Sequence, residues 1–305
     1  MICEICGSTM IWQNDFEHEG SRNGVSSLYS CESCGHNEMV DSIFIGKDTV
    51  RVNKIQNVDC LEGIEKLPEG CIDMILTSPP YDNLRSYKGY SFEFESIAKE
   101  LYRVLKKGGV MVWIVGDATI KGSETGTSFK QALFFKECGF NLHDTMIYRK
   151  KNPTPQKSNR YQPSFEYMFV LSKGKPSTFN PIMTEKKYME NRANKQYNKK
   201  KDGKQIVRGY KAASNMKVIA NVWDYSVGLN NSTSDKIAFS HPAIFPEKLA
   251  EDHIISWSNE GDIVLDPFMG SGTTAKMAAL HNRYFIGFEI SHEYCEIATK
   301  RIENL

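Results

Sequence analysis

The chain has 305 residues, 40% of them hydrophobic and 25% charged, which suits a soluble globular protein with a sizeable core and excludes a low-complexity or fibrous one. Its net charge of +1 at pH 7 excludes a polycation held to nucleic acid by bulk charge, so any preference for phosphate must come from where the charges are concentrated. No run approaches the roughly 18 apolar residues of a membrane span and the N-terminus does not read as a signal peptide, which predicts a cytoplasmic location with no membrane partner.

The first element contains two knuckles, Cys3-Glu4-Ile5-Cys6-Gly7 and Cys31-Glu32-Ser33-Cys34-Gly35. Each is a C-x-x-C pair followed by glycine, and four soft thiolates at this spacing predict a closed structural Zn2+ site with Cys3, Cys6, Cys31 and Cys34 as ligands. Strand-like pieces around Ile11 and Leu28 make residues 1–45 resemble a small zinc ribbon. Cys60, Cys71, Cys138 and Cys295 stand singly among apolar neighbours and read as buried free thiols.

From residue 46 strands and helices alternate, which predicts an α/β domain over 46–305 with a mostly parallel sheet covered on both faces. Residues 71–76 form an apolar strand that runs into Thr77-Ser78-Pro79-Pro80-Tyr81, where two prolines must end it in a rigid, extended turn. Phe94, Ile97, Leu101, Val104 and Leu105 share one helical face, with Gly108-Gly109 expected to stop that helix. A strand at 110–115, a helix at 128–138 and strands at 146–148 and 167–171 follow.

Residues from about 180 to 235 break this rhythm. Between Thr184 and Lys211 there are ten basic and three acidic side chains, a net charge of +7, interleaved with Tyr188, Tyr197 and Tyr210. Basic groups would neutralise phosphates while aromatic and amide groups contact bases, which suggests a nucleic-acid recognition insertion; a solvated insertion without a ligand is the other reading.

Periodicity returns with a helix begun by Pro246 and carrying Ala250, Ile254 and Trp257 inward. A strand at 263–265 then enters Asp266-Pro267-Phe268-Met269-Gly270-Ser271-Gly272-Thr273-Thr274, followed by a helix at 275–281 and a strand at 284–288 ending in Glu289. Strand, glycine loop, helix, strand and acid in that order predict an adenosine-type cofactor, with Glu289 placed to grip ribose hydroxyls. The loop has no P-loop lysine, so the ligand's anionic group is expected to be a small carboxylate, and S-adenosylmethionine fits that description.

With such a methyl donor the proline turn acquires a chemistry. An exocyclic base amine is a poor nucleophile because its lone pair is delocalised into the ring. A Ser78 hydroxyl and the Pro79 carbonyl, held rigid by Pro80, would accept both amine protons and free that lone pair, while Tyr81 stacks on a base flipped from the duplex. The chain has no Pro-Cys nucleophile dipeptide of the kind ring-carbon methylation needs.

These two motifs and their order resemble the β-group of amino-DNA methyltransferases, which modify cytosine N4 or adenine N6. The resemblance covers about residues 50–305. It implies a circularly permuted, Rossmann-like, S-adenosylmethionine-dependent methyltransferase sheet, with the basic insertion in the target-recognition position. It also implies that Asp266, Phe268, Gly270, Gly272 and Thr273 line the methionine and sulfonium end and that Glu289 holds the ribose. Asp59 would lie near the cofactor adenine, and Phe245 is either a cofactor contact or a packing residue. Serine at position 78 resembles the cytosine N4 enzymes, with N6-adenine methylation of double-stranded DNA as the alternative and a restriction endonuclease as a candidate partner. RNA and protein methyltransferases share the proline-proline-aromatic motif but place the cofactor loop first, and a non-catalytic zinc-ribbon DNA-binding protein would not need both motifs intact.

Overall fold

Apolar runs without alternation become the middle of a sheet. The computed structural model describes residues 1–17, 23–80, 92–153, 155, 159–186, 196–199, 202–208 and 215–305. Every residue of Ile72–Thr77 is buried, as is nearly all of Leu105–Val115, the mark of strands covered on both faces. The eight-stranded sheet runs Val222–Tyr225, Asn141–Lys150, Phe165–Ser172, Leu105–Val115, Ile72–Thr77, Ile263–Asp266, Tyr284–Glu289, Lys54–Asn57. Neighbours are parallel except on both sides of Phe165–Ser172, which runs antiparallel.

Ile72–Thr77 and Ile263–Asp266, distant in sequence, are paired at the point where the chain begins to build outward in opposite directions. Such a switch point opens a crevice beyond the carboxyl ends of the strands. Helices Cys60–Glu65, Phe94–Val104 and Thr127–Glu137 pack in succession as one set, and Glu247–Trp257, Thr273–Leu280 and His292–Glu303 as another.

The glycine pair does not stop the second helix. Phe94–Val104 ends earlier, and Gly108-Gly109 lie inside Leu105–Val115, where the pairing with Ile72–Thr77 shifts register between Ile72 and Met74. Gly108 has φ 84°, and a Cβ on Gly109 would stand 2.8 Å from the Asp73 carbonyl oxygen. Glycine here lets two strands approach through an irregularity.

The N-terminal segment expected to be a zinc ribbon is a four-stranded antiparallel sheet of Ile11–Glu17, Gly24–Ser30, Asn37–Ile45 and Asp48–Val52. The boundary expected at 45 and 46 therefore falls in a hairpin turn, and Ile43, Val50 and Val52 belong to the main core. The insertion is also narrower than 180–235: residues 181–220 form one compact unit, and Val222–Tyr225 is already an edge strand of the main sheet. Within that unit Met183–Glu185 pairs with Met216–Val218, and Gln196–Lys199 with Gln205–Arg208. Tyr188 and Tyr210 lie outside the described residues.

Candidate active site

Four parallel strands deliver the predicted residues to one edge of the sheet. Side by side, Lys54–Asn57 leads to Asp59, Tyr284–Glu289 ends in Glu289, Ile263–Asp266 ends in Asp266, and Ile72–Thr77 leads to Ser78. The pairing Leu265↔Ile75 sets the last two ends level, and Thr77 Oγ1 donates to Asp266 Oδ1 at 2.6 Å. This buried bond joins the proline turn to the glycine loop. Ser78 is half-buried, Pro79 buried and Pro80 half-buried, while Tyr81 lies outside the described residues.

Asp266 is 1% exposed, and its Oδ1 also accepts from the Phe268 amide at 3.0 Å. Burial raises its pKa to about 6, against the lowering effect of the Thr77 and Thr274 hydroxyls and the Phe268 amide. Burial likewise raises Glu289, against the lowering effect of the Ser291, Gly270 and Ile290 amides; its Oε2 accepts from Gly270 N at 2.8 Å and its Oε1 from Ser291 N at 2.9 Å. The acid is thus fastened to the first glycine of the loop.

The protein's own packing already requires glycine at two positions of the loop. Gly270 and Gly272 have φ 51° and 80°, and a Cβ on them would meet His241 Nε2 at 3.0 Å and Ala298 Cβ at 2.8 Å. Positive φ and close protein neighbours fix glycine at both positions. Phe268 packs its ring edgewise on Phe92, with centroids 5.6 Å apart, and on Trp113 at 6.2 Å, forming part of an aromatic floor. Thr273 is buried, and its hydroxyl accepts from Arg301 Nη1 at 3.3 Å, so its side chain faces the protein.

Asp59 caps the helix Cys60–Glu65, its Oδ1 accepting from the amides of Leu61 at 2.9 Å and Glu62 at 3.4 Å. Phe245 is half-buried ahead of Glu247–Trp257, and it is His241, four residues earlier, that abuts the glycine loop and meets Tyr294 edge-on at 4.4 Å.

Sequence reasoning missed four supporting residues. Thr77 ties the two motifs together, and His241 packs on Gly270. Asn57 Nδ2 donates to the carbonyls of Glu289 and Ile290, both at 2.9 Å. Arg301 Nη1 donates to the Ser271 carbonyl at 2.5 Å. The Arg301 signal was readable: it recurs three residues after Ala298 on the buried face of His292–Glu303, a charge in an apolar stripe.

At the other end of the chain, the sulfurs of Cys3, Cys6, Cys31 and Cys34 all lie within 4.8 Å of one another. Cys3 pairs with Cys34 at 3.6 Å and Cys6 with Cys31 at 3.4 Å, far from the roughly 2.05 Å of a disulfide and near the roughly 3.8 Å edge that Zn–S bonds of about 2.3 Å give a tetrahedron. The donor set fits a tetrahedral thiolate metal.

Comparison with known proteins agrees with this architecture. A family model described as DNA methylase, for N6 and N4 enzymes, matches residues 72–300. The orphan methyltransferase M.BamHII of Bacillus amyloliquefaciens is 60% identical over 251 residues, 79% of this chain and 92% of its own. The DNA adenine methyltransferase YhdJ of Escherichia coli K12 is 31% identical, covering 80% of this chain and 81% of its own. Among solved structures, the cytosine-N4-specific PvuII DNA methyltransferase superposes with TM-score 0.59 at 24% identity over 81% of this chain and 85% of its own. The M1.HpyAVI–SAM complex superposes with TM-score 0.53 at 25% identity over 82% and 98%. The fold is the α/β methyltransferase fold, and the chain belongs to the N6/N4 DNA methylase family.

Proposed function

We propose that this DNA methyltransferase transfers the methyl group of S-adenosylmethionine to the exocyclic N4 amine of cytosine in double-stranded DNA. The Thr77–Asp266 hydrogen bond carries the reading, because it sets the start of the proline turn beside the start of the glycine loop. S-adenosylmethionine supplies an electrophilic methyl on a sulfonium. Asp266, Phe268, Gly270, Gly272 and Thr273 belong to the loop that would hold its methionine end, Glu289 would take the ribose, Asp59 would lie near the adenine, and Phe245 would be a further cofactor contact.

Ser78 Oγ and the Pro79 carbonyl accept the two amine protons, drawing the nitrogen toward tetrahedral geometry so that its lone pair points at the methyl. Transfer would form the N–C bond as the S–C bond breaks, with the neutral thioether as leaving group, and the excess amine proton would pass to bulk water. Pro80 keeps the acceptors rigid, and Tyr81 stacks on the flipped base, whose extrusion costs a few kcal/mol. The unit at 181–220, with its excess of lysine and arginine, would read the target duplex.

Serine at position 78 favours cytosine. The 31% identity to a protein named as a DNA adenine methyltransferase favours N6-adenine as the second reading. Sequencing DNA from cells expressing the chain, with detection that separates 4-methylcytosine from 6-methyladenine, decides between them and reads the target site. Neither mark, from a folded and cofactor-bound protein, removes the DNA reading.

Asp266 gives the cofactor site a pH signature. A cationic ligand favours the carboxylate, and this carboxyl titrates at about 6 because burial raises it. Affinity for S-adenosylmethionine is therefore expected to be full at neutral pH and to fall, by up to about tenfold per unit, below about pH 6. Calorimetry from about pH 5 to about pH 8 should show this slope in the wild type and a shallower one in Asp266→Asn, where Glu289, also raised by burial, remains. Equal slopes in both would remove Asp266 from the cation site.

A further inference from the structure

We propose that Cys3, Cys6, Cys31 and Cys34 hold one Zn2+, and that this metal forms the core of the ribbon's outer end and so buttresses the sheet edge beside the Glu289 strand. The two knuckles are built alike. Gly7 N donates to the Cys3 carbonyl at 2.9 Å and Gly35 N to the Cys31 carbonyl at 2.8 Å; Cys3 N and Cys31 N donate to the carbonyls of Ser8 and His36, both at 2.8 Å. Gly7 and Gly35 share φ 73° with open space around the missing Cβ, so it is the left-handed turn that fixes them as glycine. Two turns built alike bring four sulfurs within 4.8 Å of one another.

The ribbon's packing shows why a metal is needed there. Its hairpin end shares Ile43, Val50 and Val52 with the main core, but among the described residues its knuckle end has a buried cluster of only Cys3, Met10 and Cys31, with Met1 and Tyr29 packed against it. So small an apolar cluster cannot offset the entropy of ordering two turns, and metal binding then becomes folding free energy. Four converging thiols without a cation or a disulfide would be an unexplained concentration of soft ligands.

The outer end is also tied to the catalytic sheet. Lys54 Nζ reaches Glu4, inside the first knuckle, and Glu38, each at 3.1 Å. Lys54 opens the edge strand whose last residue, Asn57, donates to the Glu289 and Ile290 carbonyls. Three residues of strand, about 10 Å, separate the ribbon contact from the strand end that bears Glu289. The metal site stands independently of the methyl-transfer reading, and it is tested without cofactor.

Metal analysis of the whole chain, purified without added metal or chelator, should find one zinc per chain. The exposed pair replaced together, Cys6→Ser with Cys34→Ser, should lower this to none, while Cys138→Ser keeps it at one. Removing zinc from the wild type with a mercurial reagent and a chelator should lose hydrogen-exchange protection at residues 54–57, and Lys54→Met should lose the same protection with its zinc intact. Iron in place of zinc, disulfides between the knuckles, or a metal-free wild type overturns the site. Unchanged protection at 54–57 after metal removal overturns the buttress.

Discussion

Replacing Ser78 by alanine is expected to lower kcat for DNA methylation by roughly 10²-fold, the scale of losing one preorganised polar group from a reacting centre, with S-adenosylmethionine affinity unchanged. In the proposed reaction the hydroxyl would act on the amine and not on the cofactor, so its removal should appear in the chemical step alone. The loss is not total, because the Pro79 carbonyl remains. Tyr81→Ala is expected to weaken the transition state through a different route: without a ring to stack on, the extruded base regains its preference for the duplex. Single-turnover methyl transfer to duplex DNA, with cofactor binding measured separately, resolves the two variants. If both retain the wild-type rate, Ser78 and Tyr81 have no part in catalysis and the reading of the proline turn fails.

The parts of this site that a sequence displays are those where local chemistry breaks a pattern. Two prolines after an apolar strand, and glycines between a strand and a helix, cannot be ordinary continuations of either element, so both motifs were visible. Their adjacency was not: the pairing of Ile72–Thr77 with Ile263–Asp266 is a long-range register, and only the resemblance to a permuted family supplied it. Gly108-Gly109 misled because a glycine pair after an amphipathic helix has the same local signature whether it ends the helix or kinks the following strand. The close approach to the Asp73 carbonyl that decides the matter belongs to the tertiary structure. Asp59 illustrates the same limit, since an acid after a strand serves equally as a cofactor contact or as the helix cap seen here. The insertion's charge stood out, yet its end at residue 220 depends on Val222–Tyr225 joining the sheet edge, which so short a strand cannot announce.

The second large effect is expected at a residue that meets the glycine loop from inside the protein. Arg301 has a fully buried side chain; its Nε donates to Asp235 at 2.9 Å and its Nη2 to Glu247 at 2.6 Å, while Lys276 Nζ donates to the same two carboxylates at 2.7 and 2.8 Å. Burial pushes the Asp235 pKa up, but the hydrogen bonds from Lys276 and Arg301 outweigh it and hold the carboxyl below its usual value. Two cations and two anions balance; Arg301 Nη2 also reaches the Thr233 hydroxyl at 3.4 Å, and its Nη1 donates to the carbonyl of Ser271 and the hydroxyl of Thr273 in the glycine loop.

Arg301→Met keeps the volume but leaves two partly buried carboxylates sharing one lysine, a loss on the order of 3–5 kcal/mol for breaking such a network. At about 2–4 °C per kcal/mol for a chain of this size, the melting temperature should fall by about 10 °C. Lys276→Met should cost less, because Arg301 still bridges both acids and still holds the loop. The loop supplies the readout that separates positioning from mere stability: below its melting temperature, Arg301→Met should raise KM for S-adenosylmethionine, whereas Lys276→Met should leave it near the wild-type value. Equal effects of the two variants on KM would mean that the network only stabilises the fold, and that the Ser271 carbonyl does not need its arginine to shape the cofactor loop.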